Sequence, residues 1–169
     1  AAFFHRDDNP GYTTERLSWL DRLVENGEEV LPQVSCRPLT MDFTMQYPYP
    51  FEGLPCWKQV MRRPQAEWGQ VYADPAFRAA FKDDLTNHRY SVFRGRWDLV
   101  DVLKVGAPAL RKYEGENIHG MALAAKKDPV DLMLDLVLED GLQTEFVAGL
   151  MNTNEDVVGK LITHPNTMI

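Results

Sequence analysis

The sequence predicts an α/β fold, an arc taken from a closed barrel of parallel strands, with a mostly helical insertion. Three observations lead there. A short apolar run at Ala1–His5, an amphipathic helix, and a second β-prone run at Val30–Cys36 follow one another on short loops. Strand, helix and strand of those lengths make a βαβ unit, and so a parallel pair with a right-handed crossover. Residues 46–112 interrupt this grammar with short helices, and the regular pattern then returns and closes on Thr167-Met168-Ile169, which reads as a third buried strand. Three parallel strands with helices on one side leave edges and a face uncovered, which suits a piece of a larger closed sheet better than a free-standing domain. The expected organisation is a barrel βαβ segment over residues 1–45, a mostly helical insertion over 46–112, and barrel helices leading into the last strand over 113–169.

Each element has its own signal. The first run ends in the polar turn Arg6–Gly11. Leu17, Leu20, Leu23 and Val24 then fall at helical spacing, with Thr13 or Thr14 as the N-cap and Gly27 just past the end. The second run is bounded by Arg37-Pro38. In Tyr47-Pro48-Tyr49-Pro50-Phe51, proline alternates with aromatic residues; this excludes a central strand and predicts an irregular ordered loop from Gln46 to Pro55. Trp57–Met61, Ala66–Tyr72 and Pro75–Leu85 read as short helices, the last with Asp74 as cap and Pro75 at the first helical position. Tyr90–Phe93 and Leu99–Val105 read as strands. Glu116–Lys126 is a helix with Ile118, Met121, Ala122 and Ala125 on one face. Asp128-Pro129 opens another, whose Val130, Leu132, Met133, Leu136 and Val137 face inward as far as Gly141. Leu142–Leu150 reads as a helical continuation. Thr153-Asn154-Glu155-Asp156 is a capping box with Asp in place of Glu, starting a helix through Ile162.

Composition narrows the function classes. The chain of 169 residues is 44% hydrophobic, enough for one domain or part of one. Its 18 Lys and Arg against 25 Asp and Glu give a net charge of −7, with no basic block, so no nucleic-acid partner is expected. Cys36 and Cys56 form no CxxC pair, which suits a reducing cytoplasm and suggests neither a structural zinc site nor a disulfide framework. The longest apolar stretch, Val130–Leu138, is broken by Asp131 and Asp135, and no signal segment opens the chain, so a soluble protein without a membrane partner is expected.

The stretches "VLPQVSCRPL", "DPVDLMLDLVLEDGL" and "NTNEDVVGKLITHPNTMI" resemble the C-terminal half of the catalytic domain of the amidohydrolase superfamily, in the branch of the N-acyl-D-amino-acid deacylases (D-aminoacylases). The resemblance runs over most of the chain and is weakest from about Tyr47 to Lys112. Its most specific part is the closing phrase. In that family a helix, a His-Pro turn and a strand of this form lead into a Ser-Asp step whose aspartate binds the active-site metal. The resemblance implies a (β/α)8 TIM barrel with its site at the C-terminal ends of the strands, and one or two zinc ions held by histidines, an aspartate and sometimes a cysteine or modified lysine. It implies that a water activated by the metal attacks an amide carbonyl while the last-strand aspartate passes a proton to the leaving nitrogen. The His-x-His pair of the first strand and that aspartate are absent from this sequence. No catalytic residue is therefore expected in it, and alone it is expected to be inactive.

The candidate site residues lie at the ends of the first two strands. By the resemblance, His5 stands where deacylases place a histidine on the second metal, although Arg6 and Asp7 replace the His and Lys that often follow; the other reading is a surface histidine at a strand end. Ser35 and Arg37 fall on the substrate side, where deacylases carry a Tyr-Pro-Tyr-like stretch from which "SCRP" departs. Arg37 is a guanidinium suited to bidentate binding of a carboxylate, or it pairs with a neighbouring acid. Cys36 has no His partner for nucleophilic work and reads as core or pocket wall. His88, His119 and His164 lack a second ligand at metal spacing and read as structural or exposed. Trp57, Trp68, Phe77, Phe81 and Trp97 recur at helical intervals, as a core or as a lid over the site. Asp7-Asp8, Asp83-Asp84 and Glu139-Asp140 read as solvated faces or caps, since adjacent side chains point apart.

Two functions compete. The first is part of a zinc-dependent amidohydrolase acting on the amide of an N-acyl (D-)amino acid or related small amide, its sheet completed by the rest of a parent chain or by self-association. The second is a self-contained α/β binding module without catalytic activity.

Overall fold

Strands and helices follow one another along the chain as β1 (Ala2–Phe3), α1 (Gly11–Glu25), β2 (Gln33–Val34), β3 (Leu39–Thr44), α2 (Trp57–Met61), α3 (Trp68–Ala73), α4 (Pro75–Asn87), β4 (Val100–Lys104), α5 (Ile118–Ala125), α6 (Pro129–Glu139), β5 (Glu145–Met151) and α7 (Glu155–Ile162). The computed structural model describes residues 2–9, 11–87 and 92–169. Ala1, Pro10, His88 and the opening of the strand expected at Tyr90 lie outside the described residues. The protein is α/β, with two small sheets among the described residues, and the chain divides into two compact units, residues 1–40 with 149–169 and residues 41–148.

In the first unit β1 and β2 run parallel, Ala2 opposite Gln33 and Phe3 opposite Val34, with α1 as the connection. This is the expected βαβ unit, though its strands pair over two residues each. The expected third strand pairs through a single residue: Met168 forms a parallel bridge with Gln33, its N–H donating to Pro32 O at 3.0 Å and its carbonyl accepting from Val34 N at 2.7 Å. Leu20 is the buried anchor of α1, and Gly27, at φ 85°, takes the left-handed conformation that ends the helix. Two caps differ from expectation. Helix α1 starts at Gly11, so Thr13 lies inside its first turn and is buried. Helix α7 is capped by Asn154, whose side chain accepts from Val157 N at 3.2 Å, and not by Thr153. Both threonine hydroxyls are committed elsewhere, as described below.

In the second unit the strand order is β3-β5-β4, with β4 antiparallel to β5 and Val102 opposite Phe146. Residues 145–151, expected to continue a helix, are therefore a strand. The cause is local: Gly141 and Leu142 adopt φ 62° and 66°, which stops α6, and beyond them Phe146 and Ala148 alternate inward. Strand β3 was not expected, although Phe43 within it is buried. Asp74 and Asp128 open α4 and α6 as the sequence indicates, accepting from Ala76 N and Val130 N at 2.9 Å each.

The core of this unit is aromatic. Phe51 is fully buried and meets Phe43, Trp57, Phe81 and Phe93 at centroid separations of 5.0–5.4 Å. Phe43 stacks on Phe146 at 5.3 Å, which carries the cluster onto the sheet. Trp57, Trp68, Phe77, Phe81 and Trp97 are all buried, so these rings form a core and not a lid. Arg78 on α4 bonds Asp135 on α6 at 2.7 Å, and Lys82 bonds Asp131 at 2.6 Å. Asp140 is buried at 3% exposure and is no solvated acid: it accepts from Gly106 N, Ala107 N and the Thr144 hydroxyl at 2.9, 2.7 and 2.8 Å, pinning the loop after β4 to the end of α6.

Candidate functional site at the strand ends

Parallel pairing puts the carboxyl ends of β1 and β2 on one side, so His5 and Ser35–Arg37, which follow them, emerge together. Asn152 links the two. Its side-chain oxygen accepts from His5 N at 2.7 Å, its own N–H donates to His5 O at 3.0 Å, and its Nδ2 donates to Ser35 O at 3.2 Å. Asn152 is 2% exposed and sits at φ 57°, a conformation asparagine tolerates better than most residues.

His5 is 3% exposed, which rules out a surface histidine. Its Nε2 lies 2.8 Å from Asp7 Oδ1 and its Nδ1 2.8 Å from Thr13 Oγ1. An ionised carboxylate only accepts, so Nε2–H donates to Asp7 and the Thr13 hydroxyl faces Nδ1. The second oxygen of Asp7 accepts from the Thr153 hydroxyl. Asp7 is thus part of a partly buried polar cluster and not a solvated face. Its neighbour Asp8 instead grips Arg6 at 2.9 and 3.1 Å; that hydrogen bond outweighs the cost of burial and raises the arginine pKa further.

Ser35 Oγ accepts from Arg37 N and donates to Arg37 O, each at 3.2 Å, and so shapes the turn from which Arg37 projects. Arg37 is exposed, and its guanidinium has no ion-pair partner among the described residues. Cys36 is exposed and lines a hollow of about 290 Å³ with Pro38, Asn152, Thr153 and Val158, a pocket wall and not core. Cys56 lies elsewhere and is buried; burial and then Asp84 push its thiol pKa well up, keeping it protonated. His119 is exposed, and His164 sits 3.4 Å from Asp21. Among the described residues no three His, Cys, Asp or Glu side chains gather to enclose a metal ion.

Through Asn152 the structure joins the backbones of His5 and Ser35, two residues before Arg37, and around the His5 side chain it gathers Asp7, Thr13 and Thr153. Asp7, two places after His5 in a turn, was findable from spacing. The polar run Asn152-Thr153-Asn154 before α7 carried no local sign that it meets residue 5. Comparisons with protein-family models, with curated proteins and with solved structures each returned no match. Among the described residues no helix is long and apolar enough to cross a membrane.

Proposed function

We propose that the chain forms part of a zinc-dependent amidohydrolase barrel which, in the complete enzyme, hydrolyses the amide of an N-acyl (D-)amino acid or a related small amide. The observation that carries this reading is the convergence of His5, Ser35 and Arg37 at the carboxyl ends of parallel strands, the side on which (β/α)8 enzymes build their sites. In this reading β1, β2 and the Met168 strand are an arc of the barrel. His5 is the candidate zinc ligand, and its imidazole, with a carboxylate 2.8 Å away, is donor chemistry that zinc accepts. Bound zinc supplies Lewis acidity, which activates water and polarises the amide carbonyl. Arg37 presents its exposed guanidinium to the substrate carboxylate, and the Ser35 turn holds that arginine's backbone. Two free thiols suit a reducing cytoplasm.

A second reading, a binding module without catalysis, is favoured by one observation: residues 41–148 own a continuous aromatic core of the kind a self-sufficient unit needs. One experiment separates the two. The whole polypeptide encoded by the gene is purified, its zinc measured by plasma mass spectrometry, and its hydrolysis of N-acetyl-D-amino acids followed by amine release. The hydrolase reading expects bound zinc and chelator-sensitive hydrolysis. Absence of both overturns it and leaves the binding module.

A further inference from the structure

We propose that the hollow between α5 and α6 binds a small amphipathic amine, with its apolar body against the two helices and its ammonium at Glu139. The site lies within residues 41–148 and shares no residue with the strand ends, so it goes beyond the hydrolase reading and does not depend on it. The hollow measures about 430 Å³, inside the range of about 300–1,000 Å³ that small-molecule pockets occupy. Its apolar walls are Met121 and Ala125 from α5, Leu132 and Leu136 from α6, and Tyr113 from the segment before α5. An apolar lining with a few charged groups at its rim is the usual make-up of a ligand site.

The charges around the hollow select the ligand. Lys127, Asp135 and Glu139 line it. Lys127 Nζ donates to Asp135 Oδ2 at 2.8 Å and Arg78 donates to Oδ1 at 2.7 Å, so that carboxylate is already matched by two cations. Lys112 rests over the Tyr113 ring at 4.9 Å and does not pair with Glu139 either. Glu139 is exposed and has no hydrogen bond or ion pair among the described residues. It stands in the last turn of α6, which holds no basic residue. The carboxyl end of a helix carries partial negative charge and favours a lysine or arginine, so an acid there deepens the negative potential. The unmatched charge beside the hollow is therefore negative. A neutral apolar molecule would fill the walls and leave Glu139 to water, and an anion would be repelled by it. An ammonium on an apolar body meets both, donating charge-assisted hydrogen bonds to the carboxylate.

The test uses three probes with one body: phenylpropylamine, phenylpropanol and phenylpropanoate. Their binding to the whole polypeptide is followed by nuclear magnetic resonance of carbon-labelled methionine methyls, because Met121 lines the hollow and Met61, on α2, does not. The amine is expected to shift Met121 saturably, to spare Met61, and to bind about two- to fivefold tighter than the alcohol, the increment of one exposed ion pair. The acid is expected to bind weakest. Glu139→Gln should erase the amine's advantage and leave the alcohol's affinity in place, whereas Glu52→Gln, an exposed acid outside the hollow, should keep that advantage. Ala125→Leu, at an exposed helical position where leucine costs the helix little, should fill the hollow and weaken every probe by more than about tenfold. Ala124→Leu fills the same space and carries the test should that variant fail to fold by circular dichroism. A Met121 methyl that no probe moves overturns the site. An amine that binds no tighter than the alcohol, or keeps its advantage in Glu139→Gln, overturns the ammonium assignment, and parent-like affinity in the folded leucine variant puts the probes outside the hollow and overturns the proposal as well. Zinc content and amide hydrolysis bear on the hydrolase reading alone, so either proposal can fall without the other.

Discussion

Replacing Asn152 by alanine is expected to destabilise the first unit by about 2.5–5.5 kcal/mol, and the structure supplies the parts of that figure. The His5 N–H, buried and bonded at 2.7 Å, loses its acceptor, which costs about 1–3 kcal/mol. The Ser35 carbonyl, half-exposed and bonded at 3.2 Å, loses a donor that water partly replaces, at about 0.5–1.5 kcal/mol. Alanine at φ 57° adds about 1 kcal/mol of backbone strain. Two further variants separate these parts. Asn152→Gly removes the side chain without the strain and should recover about 1 kcal/mol relative to alanine. Asn152→Asp keeps an acceptor for His5 N but has no donor for Ser35 O, and should fall between alanine and the parent. Urea denaturation followed by circular dichroism gives all four midpoints. An alanine variant within about 1 kcal/mol of the parent would refute the reasoning, and so would an aspartate variant as unstable as alanine.

Three other outcomes are expected. Alkylation with iodoacetamide under native conditions should modify exposed Cys36 and spare Cys56, whose buried thiol stays protonated; mass spectrometry should find both labelled only in guanidinium. Burial disfavours the charge of Asp135, but hydrogen bonds from Lys127 and Arg78 outweigh it and hold its carboxyl below the usual range. Its contribution to stability is therefore present above the ordinary aspartate pKa and lost as pH falls through the depressed value, so acid titrations of melting temperature should be flatter in Asp135→Asn. Phe51→Ala empties the middle of the aromatic cluster and should cost about 3–5 kcal/mol in a denaturation midpoint, whereas a loss under about 1 kcal/mol would mean the cluster is not packed as described.

The βαβ start was legible because its signals are local: an apolar run, a helix-spaced leucine set and a glycine stop, all within 36 residues of one another. The capped openings of α4 and α6 were legible for the same reason, since Asp-Pro states its own geometry. Leu142–Leu150 misled because alanine, glycine and leucine there are compatible with a helix, and the decisive facts are the left-handed pair at Gly141-Leu142 and the partner strand β4. Strand β3 carries a readable alternation of Leu39, Met41 and Phe43. Of the site, the strand-end residues His5, Ser35 and Arg37 could be found from position alone. Asp7's bond to Thr153 and His5's bond to Asn152 join positions nearly the whole chain apart, and no local pattern encodes such a meeting.

The division of the chain has a consequence for its biogenesis. Residues 1–40 and 149–169 belong to one unit, with the other threaded between them. On the ribosome, β1, α1 and β2 must wait in the nascent chain while residues 41–148 are made, because neither Asn152 nor Met168 exists until later. During that interval the His5 backbone and the free rim of β2 lack their native neighbours, and this is when the young polypeptide has most need of a chaperone.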